Sequence, residues 1–227
     1  MRDAGVNVSE KVAPIKLGMV NAYLLSAGDG FVLVDTGFPD SWDDLEAALK
    51  SAGALPERLK LVVITHGDFD HTGGCAKLQK RYGARIAMHQ GDAPMAETGT
   101  PLKRDTSRLG RFIMWLNTRR KDRPEFEKFK PDIFLTDGQS LEEYGVDASI
   151  VFLPGHTPGS LGILTSDGDM ISGDTVSNMF KPGISPFIAD RDELLSSVAK
   201  LKSMDLRTIY PGHGKPFPAA KLSKIST

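Results

Sequence analysis

The chain has 227 residues, 40% hydrophobic and 25% charged. That is enough apolar material for the core of a single domain of above-average size, and no run is long enough to span a bilayer. With 28 basic and 29 acidic residues it has no bulk field to recruit nucleic acid or an anionic membrane, so a small-molecule substrate is the expected partner. Its one cysteine excludes an internal disulfide, and the opening Met1-Arg2-Asp3-Ala4-Gly5-Val6 lacks the apolar stretch of a secretion signal; both point to a cytoplasmic protein.

In chain order, strands are expected from about 12 to 36, the last being Phe31-Val32-Leu33-Val34 with Asp35-Thr36-Gly37 after it. A helix is expected near 40–52, opened by Asp40-Ser41. The uninterrupted run Leu61-Val62-Val63-Ile64 suits a strand buried on both faces. Directly beyond it stands His66-Gly67-Asp68-Phe69-Asp70-His71-Thr72-Gly73, with four potential metal ligands in six positions. Gly67 is expected to let this turn curl, and Gly73-Gly74 to let the helix that runs on to Tyr82 pack closely. Arg85-Ile86-Ala87-Met88 makes a short strand.

The second half delivers polar side chains in the same way. Ile150-Val151-Phe152-Leu153 ends in Pro154-Gly155-His156, and a hairpin pairs Leu161–Leu164 with Met170–Ser172 before Gly173-Asp174. A helix near 191–203 precedes Thr208-Ile209-Tyr210, which ends in Pro211-Gly212-His213. Five strand-like runs thus end in a carboxylate or an imidazole. Strand ends on one side of a sheet are rigid and close in space, which is what a cation needs from ligands remote in sequence.

Between the halves, Lys103 to Lys130 holds ten basic and four acidic residues. Leu109, Phe112, Ile113 and Leu116 follow helical spacing, with Met114 and Trp115 beside them. We read one domain over 1–227 carrying a basic amphipathic helical insertion at about 95–130. The insertion either packs its apolar face on the domain, or roofs the cleft and offers Phe112, Met114 or Trp115 to an acyl chain and an arginine to an anion, or joins two copies as a homodimer.

The order and spacing of these residues resemble the metallo-β-lactamase superfamily, whose signature His-x-His-x-Asp-His precedes a distant His, an Asp and a final His. The likeness runs from Asn21-Ala22-Tyr23-Leu24 to Tyr210-Pro211-Gly212-His213-Gly214. It implies an α/β fold, a four-layer αβ/βα sandwich of two mixed β-sheets flanked by helices. Carried across by position, it implies His66 and His156 as ligands of a first metal, Asp70, His71 and His213 of a second, and Asp174 as the bridge. Asp35 would anchor the ligand loops through hydrogen bonds. One residue departs from the signature: Asp68 stands where the family has its second His. With two divalent ions, three carboxylates and a hydroxide the centre would be neutral, one positive charge short of the usual pattern, so water bound there should be less acidic. Zinc is the family's usual ion; the added oxygen ligand brings in iron and manganese, and flavodiiron proteins of the superfamily carry a carboxylate at this position.

The resemblance further implies a metal-dependent hydrolase in which a metal-bridging hydroxide attacks an ester, thioester or lactone of a small acyl compound, glyoxalase II-like in its bridging Asp174. Asp70 would take up a proton and pass it to the leaving group. Two other readings stand beside it. His66, His156 and Asp174 form the two-His-one-carboxylate set of a mononuclear non-haem iron oxygenase, as in persulfide dioxygenases of the superfamily. The other is a metal-binding protein without turnover. Cys75, Tyr23 and Tyr210 are read as packing residues and His89 as lying outside the ligand set.

Overall fold

The computed structural model describes Val6 and residues 11–102, 104–106 and 125–225. The helical periodicity from Leu109 through Phe112, Ile113, Met114, Trp115 and Leu116 lies outside the described residues.

Strands β1 (Val12–Leu17), β2 (Val20–Ala27) and β3 (Gly30–Val34) form an antiparallel meander. To its far edge β4 (Leu59–Val63), β5 (Ile86–Met88) and, beyond the short β6 (Asp105–Thr106), β7 (Ile133–Phe134) add in parallel. The second sheet joins β8 (Ala148–Phe152), β9 (Leu161–Thr165) and β10 (Asp169–Gly173) as antiparallel neighbours. Of the later strands β11 (Val176–Ser177), β12 (Gly183–Ile184), β13 (Phe187–Ile188), β14 (Thr208–Pro211) and β15 (Phe217–Pro218), only the last two extend it; β14 runs parallel to β10.

The apolar runs are continuous because both faces of each strand are covered. In β3 and β4, Val32, Val34, Leu61 and Val63 face the other sheet and meet Ile150, Ile163 and Ile171. Their neighbours Leu33, Val62 and Ile64 face outward to Trp42, Leu45 and Leu49 of α1 (Trp42–Ser51), whose buried positions recur at helical spacing. The second sheet turns Val151, Met170 and Ile209 outward, into the cluster that holds Val198 and Leu201. Those two belong to the helix Arg191–Ser203, which opens where Asp190 accepts the Glu193 amide at 3.0 Å. The result is the helix, sheet, sheet, helix layering expected from the sequence.

Strands β3 and β4 share one direction, as do β8, β10 and β14, so their carboxyl ends gather at one edge of the sandwich. Cross-links pin the two sheets there: Leu161 N to Thr65 O at 2.9 Å, and Asn21 N to Gly212 O at 2.8 Å. Among the described residues no helix is long and apolar enough to cross a membrane.

Candidate metal centre

The gathered edge collects every ligand candidate. His66 and Asp68 lie on the loop leaving β4, and Asp70 and His71 on the single turn α2 (Phe69–Thr72). His156, Asp174 and His213 follow β8, β10 and β14. They fall into three overlapping groups, His66 with Asp68 and His156, His66 with His71 and Asp174, and Asp70 with His71 and His213. Within each group the donor atoms lie within 4.8 Å of one another.

Hydrogen bonding fixes how the imidazoles face. Nδ1 of His156 is 2.7 Å from the Phe187 carbonyl and Nδ1 of His213 is 2.9 Å from the Met19 carbonyl, and a carbonyl can only accept. Nδ1 of His71 meets the Asp35 carboxylate at 2.8 Å. Nδ1 of His66 is 3.0 Å from the Thr65 hydroxyl, whose own proton goes to Asp35 Oδ2. All four rings therefore donate from Nδ1 and turn Nε2 inward.

What waits there fits a cation. His66 Nε2, His71 Nε2 and Asp174 Oδ1 are buried without a hydrogen-bond partner, a costly arrangement unless something electropositive lies between them. His213 Nε2 stands 3.2 Å from both Asp70 Oδ2 and Asp174 Oδ2, and His71 Nε2 is 3.6 Å from Asp174 Oδ1. Donors about 2.1 Å from a tetrahedral ion stand about 3.4 Å apart. Gly212 keeps the space open, because a Cβ there would lie 2.3 Å from Asp174 Oδ1 and 2.7 Å from His71 Cε1. Gly67 serves in another way than expected: its φ is not positive, and it is small because a Cβ would meet Met95 at 2.5 Å and Asp92 at 3.2 Å.

Charge is balanced by protons in the bare centre. Burial lowers the pKa of His71, but Asp35, Asp70 and Asp174 outweigh it and bring it up to about 9. His213 is likewise held well above the usual imidazole value by Asp174 and Asp70 against its burial. Burial acts to raise Asp174, yet His213 and His71 hold it well below the usual carboxylate range. His66, with burial as its main influence, is shifted down. A divalent ion entering here would displace protons from His71 and His213.

Supporting residues join the ligand loops. Asp35, at φ 60 the only non-glycine residue with positive φ among the described residues, also accepts the Thr65 amide at 2.8 Å. Asp tolerates this conformation better than bulkier residues. Asp92 is fully buried and accepts from Gly67 N at 2.8 Å, Gly159 N at 2.8 Å and Thr157 Oγ1 at 2.6 Å, tying the His66 loop to the His156 loop. Asn21 Nδ2 donates to Pro211 O and Gly214 O, and the Tyr23 hydroxyl to Pro211 O, which braces the His213 loop. Cys75 is buried beside Thr36, and His89 stacks on Phe152 and belongs to none of the three ligand groups.

Asp92 and Arg104 also reach the loops of the centre, and neither stands in the ligand set expected from the sequence. The Arg104 guanidinium donates from Nη1 to Asp68 Oδ2 at 2.7 Å and lies 3.2 Å from His156 Nε2, while Nη2 bonds Asp68 Oδ1. Burial acts to raise Asp68, but the His156 and His66 imidazoles beside it and the charge of Arg104 hold it well below the usual carboxylate range. The guanidinium thus balances the charge of the Asp68 carboxylate. No local signal marks Arg104 among the ten basic residues of its segment.

The family model of the metallo-beta-lactamase superfamily matches residues 15–213, and the chain belongs to that superfamily of metallo-hydrolases. It is 26% identical to a probable metallo-hydrolase, YflN, of Bacillus subtilis (strain 168), over 94% of this chain and 87% of that protein. It is 30% identical to a hydroxyacylglutathione hydrolase of Anaeromyxobacter dehalogenans (strain 2CP-C) over 68% of this chain, which spans 45% of that protein's length. In fold it is similar to BJP-1, a subclass B3 metallo-beta-lactamase of Bradyrhizobium japonicum, with a TM-score of 0.68, 20% identity and coverage of 94% of this chain and 80% of that one.

Proposed function

We propose that His66, Asp68, Asp70, His71, His156, Asp174 and His213 are metal ligands and that the protein hydrolyses an ester, thioester or lactone of a small acyl compound. The observation that carries this reading is the common orientation of the four imidazoles, each with Nδ1 committed to an acceptor and Nε2 turned towards one or two of the carboxylates Asp68, Asp70 and Asp174. Zinc is the ion the family favours, with iron and manganese suited to the carboxylate-rich set. The ion supplies two things the side chains cannot, acidification of a water to near-neutral pKa and polarisation of a carbonyl.

The side chains do the rest. Burial pushes the Asp70 carboxyl up, but His71 and His213 draw it below its ordinary value, so it is ionised at neutral pH. Asp70 therefore accepts a proton from the attacking water and delivers it to the leaving group. An acyl substrate is supported by the rim beside His213. Met19, whose carbonyl holds His213, is 54% exposed, and Phe180, two residues beyond the Asn178 that bridges Gly214, is 87% exposed. Large apolar side chains left in water beside a polar centre suit an acyl group. The relative named a hydroxyacylglutathione hydrolase points the same way.

The test is initial-rate hydrolysis of an ester, a thioester and a lactone by protein stripped with chelator and then reloaded with zinc, iron(II) or manganese. Hydrolysis of at least one class should vanish on stripping and return on loading. Hydrolysis indifferent to stripping contradicts the proposal, and so does the absence of hydrolysis from every loaded form. Oxygen uptake by an iron-loaded form that hydrolyses nothing would transfer the case to the mononuclear oxygenase.

A further inference from the structure

Asp68 and Arg104 raise a question that the ligand set alone does not. His156 gives its Nδ1 proton to Phe187 O, so its Nε2 has one lone pair, and Arg104 Nη1 lies 3.2 Å from it. A guanidinium has five N–H donors and no lone pair, so it can meet Nε2 only as a donor. The same Nη1 takes Asp68 Oδ2, the oxygen that lies 3.4 Å from His66 Nε2 and 3.1 Å from His156 Nε2. Arg104 thus engages the Asp68 and His156 lone pairs, two of the three donors that a metal ion held by His66, Asp68 and His156 would need.

The arrangement is built into the fold. Arg104 immediately precedes β6, and β6 pairs with β13 so that Thr106 lies opposite Phe187 and Asp105 opposite Ile188. Phe187 is the residue whose carbonyl orients His156, so one strand pair sets both the imidazole and the chain that brings the guanidinium to it. The Arg104 side chain is 9% exposed, and its charge is matched by Asp68. Among the described residues, the ion pairs of Asp70, His71, Asp174 and His213 are with one another and with Asp35 and His156.

We propose that Arg104 is the resident cation of the first sub-site. The protein then holds one divalent ion tightly, at Asp70, His71, Asp174 and His213, and admits a second at His66, Asp68 and His156 only weakly, when the guanidinium withdraws. This rests on the metal-site reading above.

The test is zinc titration of chelator-stripped full-length protein, with bound metal counted by elemental analysis after desalting. Wild type should retain one ion per chain. Arg104→Met, which keeps an unbranched side chain and removes the charge and donors, should retain two, its second step tightened about tenfold or more. The double variant Arg104→Met/Asp68→His carries the same expectation and serves where the single change leaves Asp68 too exposed to folding stress. Two equally retained ions in wild type, or one ion in both variants, overturns the role given to Arg104 and leaves the metal centre standing. No retained ion in wild type overturns both.

Discussion

Asp35 Oδ2 stands 2.8 Å from His71 Nδ1, and both side chains are buried. Asp35 spends all its contacts as an acceptor, from His71, from the Thr65 amide and from the Thr65 hydroxyl. An amide at this position has only one oxygen, so Asp35→Asn must point its NH₂ at a donor. The cheapest escape is to flip the His71 tautomer, which puts a proton on the Nε2 that faces the centre. Metal affinity should fall about 10–100-fold with the fold retained; competition against a chromogenic chelator would read it, and unchanged affinity would contradict the assigned tautomer.

Gly212→Ala puts a methyl 2.3 Å from Asp174 Oδ1 and 2.7 Å from His71 Cε1. Both neighbours belong to the centre and to different loops, so relief comes only by separating them. The variant should keep its far-ultraviolet circular dichroism and lose most of its metal and activity. Full metal content would show that the space beside Gly212 is not the one the ion uses.

Asp92→Ala removes the acceptor for Gly67 N, Gly159 N and Thr157 Oγ1 at once. Each buried donor left without a partner costs about 1–3 kcal/mol, so urea unfolding should show a loss of several kcal/mol on that scale. Because Asp92 joins two ligand loops and touches no candidate ligand side chain, metal affinity should weaken along with stability. A loss under about 1 kcal/mol would mean that water replaces the carboxylate.

Much of this was legible in the sequence. The strand runs read clearly because both faces of each strand are buried, and the ligands because five of those runs end in imidazoles or carboxylates. Asp92 was not legible: ahead of Ala93-Pro94 it has the look of a helix cap, and it does stand at that position, but its side chain makes no capping bond and turns to loops 25 to 67 residues away. Arg104 was hidden in a basic run whose charges all look alike until tertiary packing brings one of them to Asp68. A charge count made from the ligands alone leaves Arg104 out for that reason.

The stability of stripped protein should depend on pH in a defined direction. His71 has a folded pKa of about 9 against about 6.5 when unfolded. The native state therefore binds the extra proton between these values; the stabilisation is complete below about 6.5 and is lost as pH rises through about 9. His213, raised in the same direction, adds to the trend, whereas His66 is lowered and acts on the acid side of 6.5 in the opposite sense. The melting temperature of the stripped protein should fall from pH 6.5 to 9, and apparent metal affinity should climb over the same interval as protons cease to compete. A flat melting profile with pH-independent affinity would contradict this proton inventory.

On the proposed reading, the inward-facing Nε2 atoms and carboxylates hold a divalent ion. Elemental analysis of protein purified without chelator tests it most directly, with Asp174→Ala prepared in parallel. Wild type should carry at least one zinc, iron or manganese ion per chain, and most of it should be gone from Asp174→Ala. Background metal in the wild type, unchanged after dialysis against each ion, would contradict it.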